Sequence, residues 1–292
     1  MTPAFRYVRP ATLAQVSERL QAPGTRAMGG GTDLIPQLQR GIRPADEVVD
    51  VRAAVPAGIE PAGQGLVIGG ATRIADVARD ADVGARFAVL AQAAAAVASP
   101  QLREMGTVAG NLCQAVRCWY FRHPDLQCWL RGGDTCYAQI GDHRKHGLEP
   151  GDCISVAPSD LAAALLALDA VVTTNLREGF PLADLYRRAS AEDRSTVALR
   201  QGELITAVTV PKAPEASAYV RAGERAAWSF ALCAVAAARF GDRTRLAAIG
   251  VSNLPRLLDP SDPLAGLPGL EMTGWKRRLL QGLADDALGS VA

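Results

Sequence analysis

Five of the six cysteines, Cys113, Cys118, Cys128, Cys136 and Cys153, fall in one stretch of the chain, and Cys233 stands apart. Thiolates are soft ligands, and four around one centre suit a tetrahedral zinc ion or an iron–sulfur cluster. Disulfide frameworks belong instead to short chains with cysteines spread throughout. The gaps between Cys118, Cys128, Cys136 and Cys153 are nine, seven and sixteen residues. Structural zinc sites use close cysteine pairs, so these gaps favour a [4Fe-4S] cluster, whose separated corners wide loops can reach. The three histidines, His123, His143 and His146, lie in the same stretch. They read as loop residues, able to ligate or to donate a hydrogen bond to a sulfur. Trp119 and Trp129 flank the thiols and would shield them from water or form a local core. No Ser–His–carboxylate or Cys–His arrangement has a context that suggests hydrolysis.

Two turns of small residues form the second constellation. Arg26-Ala27-Met28 reads as a strand, Gly29-Gly30-Gly31-Thr32-Asp33 as a turn, and Leu34, Ile35 and Leu38 as one face of a following helix. Glycines permit positive φ and close backbone approach, and their N–H groups at a strand-to-helix turn suit a phosphate or diphosphate. Gly106-Thr107-Val108-Ala109-Gly110-Asn111 offers the same chemistry further on. Neither turn is a GxGxxG or Walker motif. Each alone is equally a tight turn with glycines for geometry; together they could hold two faces of one dinucleotide.

The elements that must position these residues are of mixed type. Phe5 and Tyr7 suggest a strand, and Thr12 a helix cap before Leu13, Val16 and Leu20. Strands are expected over 47–51 and 65–70, with Thr72 capping a helix over 74–79. An Ala-rich helix is expected over 85–98, stopped by Pro100, with a loop over 101–111. Periodicity fails from Asn111 to Asp152, a loop long enough to need something that holds it. Ser159 is expected to cap a helix over 161–168, followed by a strand over 170–174. Beyond a boundary at 178–184 the pattern is α+β: strands at 203–210, 218–222, 229–240 and 243–251. A final helix at 275–288 turns Leu279, Leu280, Leu283 and Ala287 inward. The Pro-rich stretch 255–268 has no assigned element.

The motifs carry a resemblance. Gly29-Gly30-Gly31-Thr32-Asp33-Leu34 and Gly106-Thr107-Val108-Ala109-Gly110-Asn111-Leu112 resemble the two FAD-diphosphate loops of the FAD (medium) subunits of molybdenum hydroxylases, the xanthine dehydrogenase and carbon monoxide dehydrogenase family. The opening Phe5-x-Tyr7-x-x-Pro10, the Pro158-Ser159-Asp160 helix start, and Glu224-Arg225 before the apolar run Phe230 to Ala238 match in order. The run Arg117-Cys118-x-Tyr120-Phe121-Arg122 is similar to the start of a cluster-bearing insert in the FAD subunits of 4-hydroxybenzoyl-CoA reductase and a bacterial aldehyde oxidoreductase. The resemblance spans almost the whole chain.

It implies an α+β fold: a two-part FAD-binding domain of the vanillyl-alcohol-oxidase type over residues 1–178, with a cysteine-rich insert at about 112–157, then a smaller α+β domain over 179–292. The implied cofactor-binding set is Arg26, Ala27, Met28, Gly29, Gly30, Gly31, Thr32, Asp33, Leu34, Thr107, Gly110, Asn111, Asp160 and Arg221. Asp160 would serve either the adenosine end or the flavin-side loop. Arg221 departs from the family's frequent Lys, replacing a point charge by a planar fork. Cys118, Cys128, Cys136 and Cys153 would ligate a [4Fe-4S] cluster, with Cys113 and Cys233 as packed residues. The implied function is electron transfer from partner [2Fe-2S] centres through FAD to an external acceptor. A large subunit would hold the molybdenum cofactor and act on an aldehyde, an N-heterocycle or an aromatic thioester; a small subunit would hold the [2Fe-2S] centres. The alternatives are a metal-stabilised interaction subunit without FAD and a stand-alone flavin oxidase, for which no catalytic base stands out.

Composition sets the outer bounds. The chain has 292 residues, 31 Lys plus Arg against 30 Asp plus Glu, and 49% hydrophobic residues. That balance gives no electrostatic ground for nucleic-acid binding. No apolar run is long enough for a membrane span. The N-terminus lacks the order of a signal peptide, so the default expectation is cytoplasmic, with export alongside a partner left open.

Overall fold

The computed structural model describes residues 4–292. The first unit is a parallel three-stranded sheet with two crossover helices: β1 (Arg6–Val8), α1 (Leu13–Arg19), β2 (Thr25–Met28), α2 (Leu34–Gln39) and β3 (Glu47–Asp50), in the order β1-β3-β2. Parallel neighbours cannot be joined by a tight hairpin, and the helices supply the return path. Thr12 caps α1 in a reciprocal capping box with Gln15.

The second unit holds β4 (Ile59–Ala62), β5 (Gly65–Gly69) and five short helices: α3 (Ile74–Arg79), α4 (Ala81–Arg86), α5 (Ala88–Ala96), α6 (Pro100–Met105) and α7 (Val108–Leu112). Three expectations fail here for local reasons. Thr72 does not cap α3; its hydroxyl bonds the N–H and C=O of Gly58, each at 2.9 Å. The expected single helix over 85–98 breaks at Phe87, whose backbone leaves the helical region (φ −131°, ψ 52°). Pro100 opens a helix rather than ending one. It stands at the first position of α6, where its missing N–H costs nothing, and Ser99 caps that helix. The expected loop over 101–111 is therefore mostly α6 and α7.

After an irregular lobe over residues 113–158, which contains only the single-turn α8 (Tyr137–Ile140) and a 3-10 turn at Trp129–Arg131, the chain forms α9 (Asp160–Ala167). Every residue of α9 is buried. Such a helix must be covered on all sides; α5 covers one and the C-terminal sheet another. Each fully buried leucine of α9 contributes about 2 kcal/mol. Then β6 (Val171–Thr174), β7 (Phe180–Pro181) and β8 (Ile205–Val210) join β4 and β5 in the order β4-β5-β8-β6-β7. Because β8 lies at the centre of this sheet, the expected division between 178 and 179 cuts through it; the sheet is complete only at Val210.

The last unit is an antiparallel sheet of β9 (Ala216–Gly223), β10 (Ala231–Phe240), β11 (Arg243–Ile249) and β12 (Arg256–Leu258), the last lying inside the unassigned Pro-rich stretch. In β10 the alternation of strand side chains is buried on both faces. Ala234, Ala236 and Ala238 join the main core, and Cys233, Val235 and Ala237 pack toward α10 (Gly274–Gly289). Helix α10 buries Leu280, Leu283, Ala284 and Ala287 as its periodicity requires, and also Lys276, which stands one turn before Leu280 on the same face but whose charge gives no reason to expect burial. Among the described residues no helix is long and apolar enough to cross a membrane.

Candidate functional site

The glycine turn lies at the carboxyl end of β2, where open α/β sheets take ligands. It meets the end of α6 at very short range. A Cβ on Gly30 would stand 1.6 Å from the Met105 carbonyl oxygen, and one on Gly29 would stand 2.6 Å from Thr107 Oγ1. Gly31 has φ +74°, a conformation that favours glycine. The glycines thus let the two turns touch. Among the described residues, no acceptor takes the amide hydrogens of Gly29, Gly30, Gly31, Thr32 or Asp33. Five free backbone donors in one turn form a cradle for an anion.

A cleft of about 690 Å³ opens beside this contact. Of the residues expected to bind the cofactor, it is lined by Arg26 to Leu34, Thr107, Gly110, Asn111 and Asp160. The second turn is braced from behind. Thr107 caps α7 by accepting from the Gly110 N–H, and the Ser159 hydroxyl, which caps α9, donates to Asn111 Oδ1 at 2.6 Å. Asp160 is buried and accepts from the Tyr219 hydroxyl at 2.5 Å. Burial raises its carboxyl pKa, against the opposing pull of Tyr219 and Arg221.

Two expected residues are placed differently. Arg221 is not among those lining the cleft. It stands behind Asp160, its Nε 3.4 Å from Oδ1, with its other end on the Ser229 carbonyl. The Asp33 carboxylate is not free toward the cleft either. It receives Arg117 at 3.0 Å, Arg122 at 2.9 Å, the Ala115 N–H at 2.8 Å and Gln37 at 3.0 Å. Burial would raise this carboxyl, but Arg117, Arg122 and the amide outweigh it and hold it below the usual range. Asp33 therefore fastens the start of the cysteine lobe to the glycine turn.

The lobe gathers the four expected ligands. Cys118, Cys128 and Cys153 are buried in one apolar cluster with Val116, Phe121 and Leu130, and Cys136 is half-buried. All are free thiols. Burial pushes Cys118 up to about 12 and raises Cys128. The Cys153 sulfur donates to Ser155 Oγ at 3.1 Å, and the mutual influence of Cys136 and Cys153 lowers the Cys136 thiol and raises that of Cys153, which burial raises further. Among the described residues, no three His, Cys, Asp or Glu side chains converge closely enough to hold a single metal ion. The donor set is four soft thiols, three of them buried and one half-buried, the chemistry that thiolate-ligated groups use. Cys113 is half-buried on the cleft wall, and Cys233 is fully buried in β10.

Lobe and cleft meet at Cys118, Trp119 and His146, all of which line the cleft; Cys128, Cys136 and Cys153 do not. The His146 ring lies edge-on to Trp119, with its Nε2 3.2 Å from Cys118 Sγ. Burial, with Lys276 and His143, lowers the His146 pKa to about 4. Across the mouth, Lys145 pairs with Glu224, and Arg117 stacks on Phe230 with its Cζ 4.1 Å from the ring centroid. The role of Arg117, Lys145, His146, Trp228 and Phe230 as cleft walls was not legible as a site. Their neighbours lie far off in the sequence, and only the Glu224-Arg225 and Arg117-Cys118 motifs hinted at it.

Residues 3–213 match the family model described as the FAD binding domain in molybdopterin dehydrogenase. The chain is 37% identical over 270 residues to the aldehyde oxidoreductase FAD-binding subunit PaoB of Escherichia coli strain K12, covering 89% of this chain and 85% of that one. It is 25% identical over 263 residues to the carbon monoxide dehydrogenase medium chain of Afipia carboxidovorans, covering 86% and 75%. A solved CO dehydrogenase from Oligotropha carboxidovorans superposes with a TM-score of 0.74 at 19% identity, over 100% of this chain and 98% of that one, a likeness of fold.

Proposed function

The chain belongs to the FAD-binding family of the molybdopterin dehydrogenases, and from that premise we propose that it is the FAD-carrying oxidoreductase subunit of a molybdenum hydroxylase complex, with FAD in the cleft between its two small-residue turns. The observation that carries the reading is the set of five free amides at Gly29 to Asp33, in a turn that meets the second turn at Gly30, where a Cβ would stand 1.6 Å from the Met105 carbonyl oxygen. The cleft volume lies in the usual range for cofactor sites.

In this reading Gly29 to Asp33 and Thr107 to Asn111 hold the diphosphate through backbone donors. Arg26 and Arg43, both on the cleft wall, supply positive charge. Asp160 is held by Tyr219 and Arg221 as an acceptor for a hydroxyl or ring N–H of the cofactor. Arg221 acts through Asp160 and does not touch the ligand. Bound FAD would accept electrons from one-electron centres and release them to a second acceptor. The chain's residues bind, orient and shield it; the substrate chemistry needs no acid or base from them.

The same reading assigns Cys118, Cys128, Cys136 and Cys153 to a [4Fe-4S] cluster. Four cysteines free of disulfides in one irregular lobe, three of them buried together, support this. A large molybdenum-cofactor subunit and a small [2Fe-2S] subunit would be the partners, with an aldehyde, an N-heterocycle or an aromatic thioester as substrate. The similarity to an aldehyde oxidoreductase subunit favours an aldehyde. The test is an optical spectrum with flavin, iron, sulfide and zinc content on one preparation of the complex. About one FAD per chain supports the flavin assignment, and iron with acid-labile sulfide beyond that of the [2Fe-2S] subunit supports the cluster. A flavin-free preparation contradicts the flavin assignment, and zinc without that iron contradicts the cluster.

A further inference from the structure

The strip His143 to His146 is held at every residue from the C-terminal region. The Met272 N–H donates to His143 Nε2 at 3.4 Å, and Trp275 Nε1 donates to the Arg144 carbonyl at 3.1 Å. Lys276 Nζ donates to the carbonyls of Lys145 at 3.0 Å and His146 at 2.9 Å. Lys276 is fully buried, an uncommon state for a lysine, and its two carbonyl partners belong to the lobe, not to its own helix. A buried ammonium is costly unless its hydrogen bonds are met, so the two carbonyls and the amine hold each other in place.

The product of this clamp is the placement of His146. The residue is 2% exposed, its Nε2 faces Cys118 Sγ at 3.2 Å, and its Nδ1 has no partner. Neutral imidazole carries one hydrogen. Orphaned buried N–H groups are rarer than orphaned acceptors, so the hydrogen belongs on Nε2, aimed at the sulfur. A protonated ring would aim the same hydrogen.

We infer that His146 is a hydrogen-bond donor to the Cys118 sulfur and that Lys276 is the positioning residue that holds it there, so that together they set the reduction potential of the cluster at the point where the lobe meets the flavin cleft. This rests on the cluster assignment proposed above. The physical ground is general. Reduction adds negative charge to the cluster and its thiolates, and both a donor on the sulfur and a buried cation nearby stabilise the reduced form. Cys118 is the one proposed ligand on the cleft wall, so its sulfur is where such a donor bears on exchange with the flavin.

The experiment is a potentiometric titration of the purified complex, with the cluster followed by electron paramagnetic resonance and the flavin by absorbance. The variants are His146→Leu, His146→Gln and Lys276→Met. The expected result is a lower cluster potential in His146→Leu, partial recovery in His146→Gln, which keeps a donor, and a smaller fall in Lys276→Met. The iron content should stay unchanged. A cluster potential in His146→Leu equal to wild type, with iron intact, overturns the inference alone. Wild-type complex without the extra iron overturns the cluster assignment and this inference with it. If His146→Leu loses its iron, Lys276→Met decides: a lowered potential upholds the inference and an unchanged one overturns it.

Discussion

Gly30→Ala is the sharpest perturbation of the proposed flavin cradle. The added methyl would begin 1.6 Å from the Met105 carbonyl oxygen, so one turn must retreat by at least about 1.4 Å to restore a 3.0 Å contact. The opposing atom is backbone at the end of a helix, and no side-chain rotation relieves it. Overpacking of this kind costs about 1–3 kcal/mol, which in a chain of this size lowers Tm by roughly 2–10 °C. The larger effect falls on the ligand, because the retreat separates the two sets of donors that must grip one diphosphate. FAD affinity should weaken by at least about tenfold, about 1.4 kcal/mol. The assay is FAD retained after gel filtration, with a fluorescence titration of the stripped protein and a thermal melt. Gly84→Ala is the control. It lies within α4 with nothing within 4 Å of the added carbon, and should hold or raise stability by up to about 1 kcal/mol. Full FAD occupancy and an unchanged melt in Gly30→Ala would refute the reasoning.

Other predictions are independent of it. Asp33→Asn leaves Arg117 and Arg122 without their carboxylate and should cost about 1.5–3 kcal/mol, seen as faster proteolysis within 113–158 and a lower urea midpoint. Substituting Ser for Cys118 or Cys153 should remove the iron above that of the [2Fe-2S] subunit while leaving FAD bound, as metal analysis beside the flavin spectrum would show. Asp50 has its pKa lowered to about 2, since Arg52 and the Tyr7 hydroxyl outweigh the effect of burial. Its contribution is therefore complete above pH 3.8 and is lost as pH falls toward 2. Urea midpoints across that window should fall with pH in the wild type and fall less in Asp50→Asn.

Local chemistry made part of this molecule legible in advance. Thr12 and Ser159 cap helices because hydroxyl side chains accept from the first-turn amides wherever the chain allows it. The glycine turn could be located because three glycines stand between a strand and a helix, but only the second turn beside it and the family resemblance set a ligand above plain turn geometry. Short-range signals misled where a second fit existed. Pro100 serves the first turn of a helix as well as the end of one, and Thr72 found the backbone of Gly58 before that of its own helix. What sequence left hidden depends on distant partners. Asp33 meets Arg122 across 89 residues, and Lys276 meets His146 across 130. Strand β8 enters the middle of a sheet begun more than a hundred residues earlier, which is why a boundary drawn from local pattern alone cuts through it.

The most direct measurement is a density map of the intact, flavin-loaded complex. It should show the FAD diphosphate within hydrogen-bond reach of the amides of Gly29 to Asp33, with Thr107 to Asn111 on its other side. A dinucleotide bound elsewhere on the chain, with those amides facing only solvent, would contradict the account.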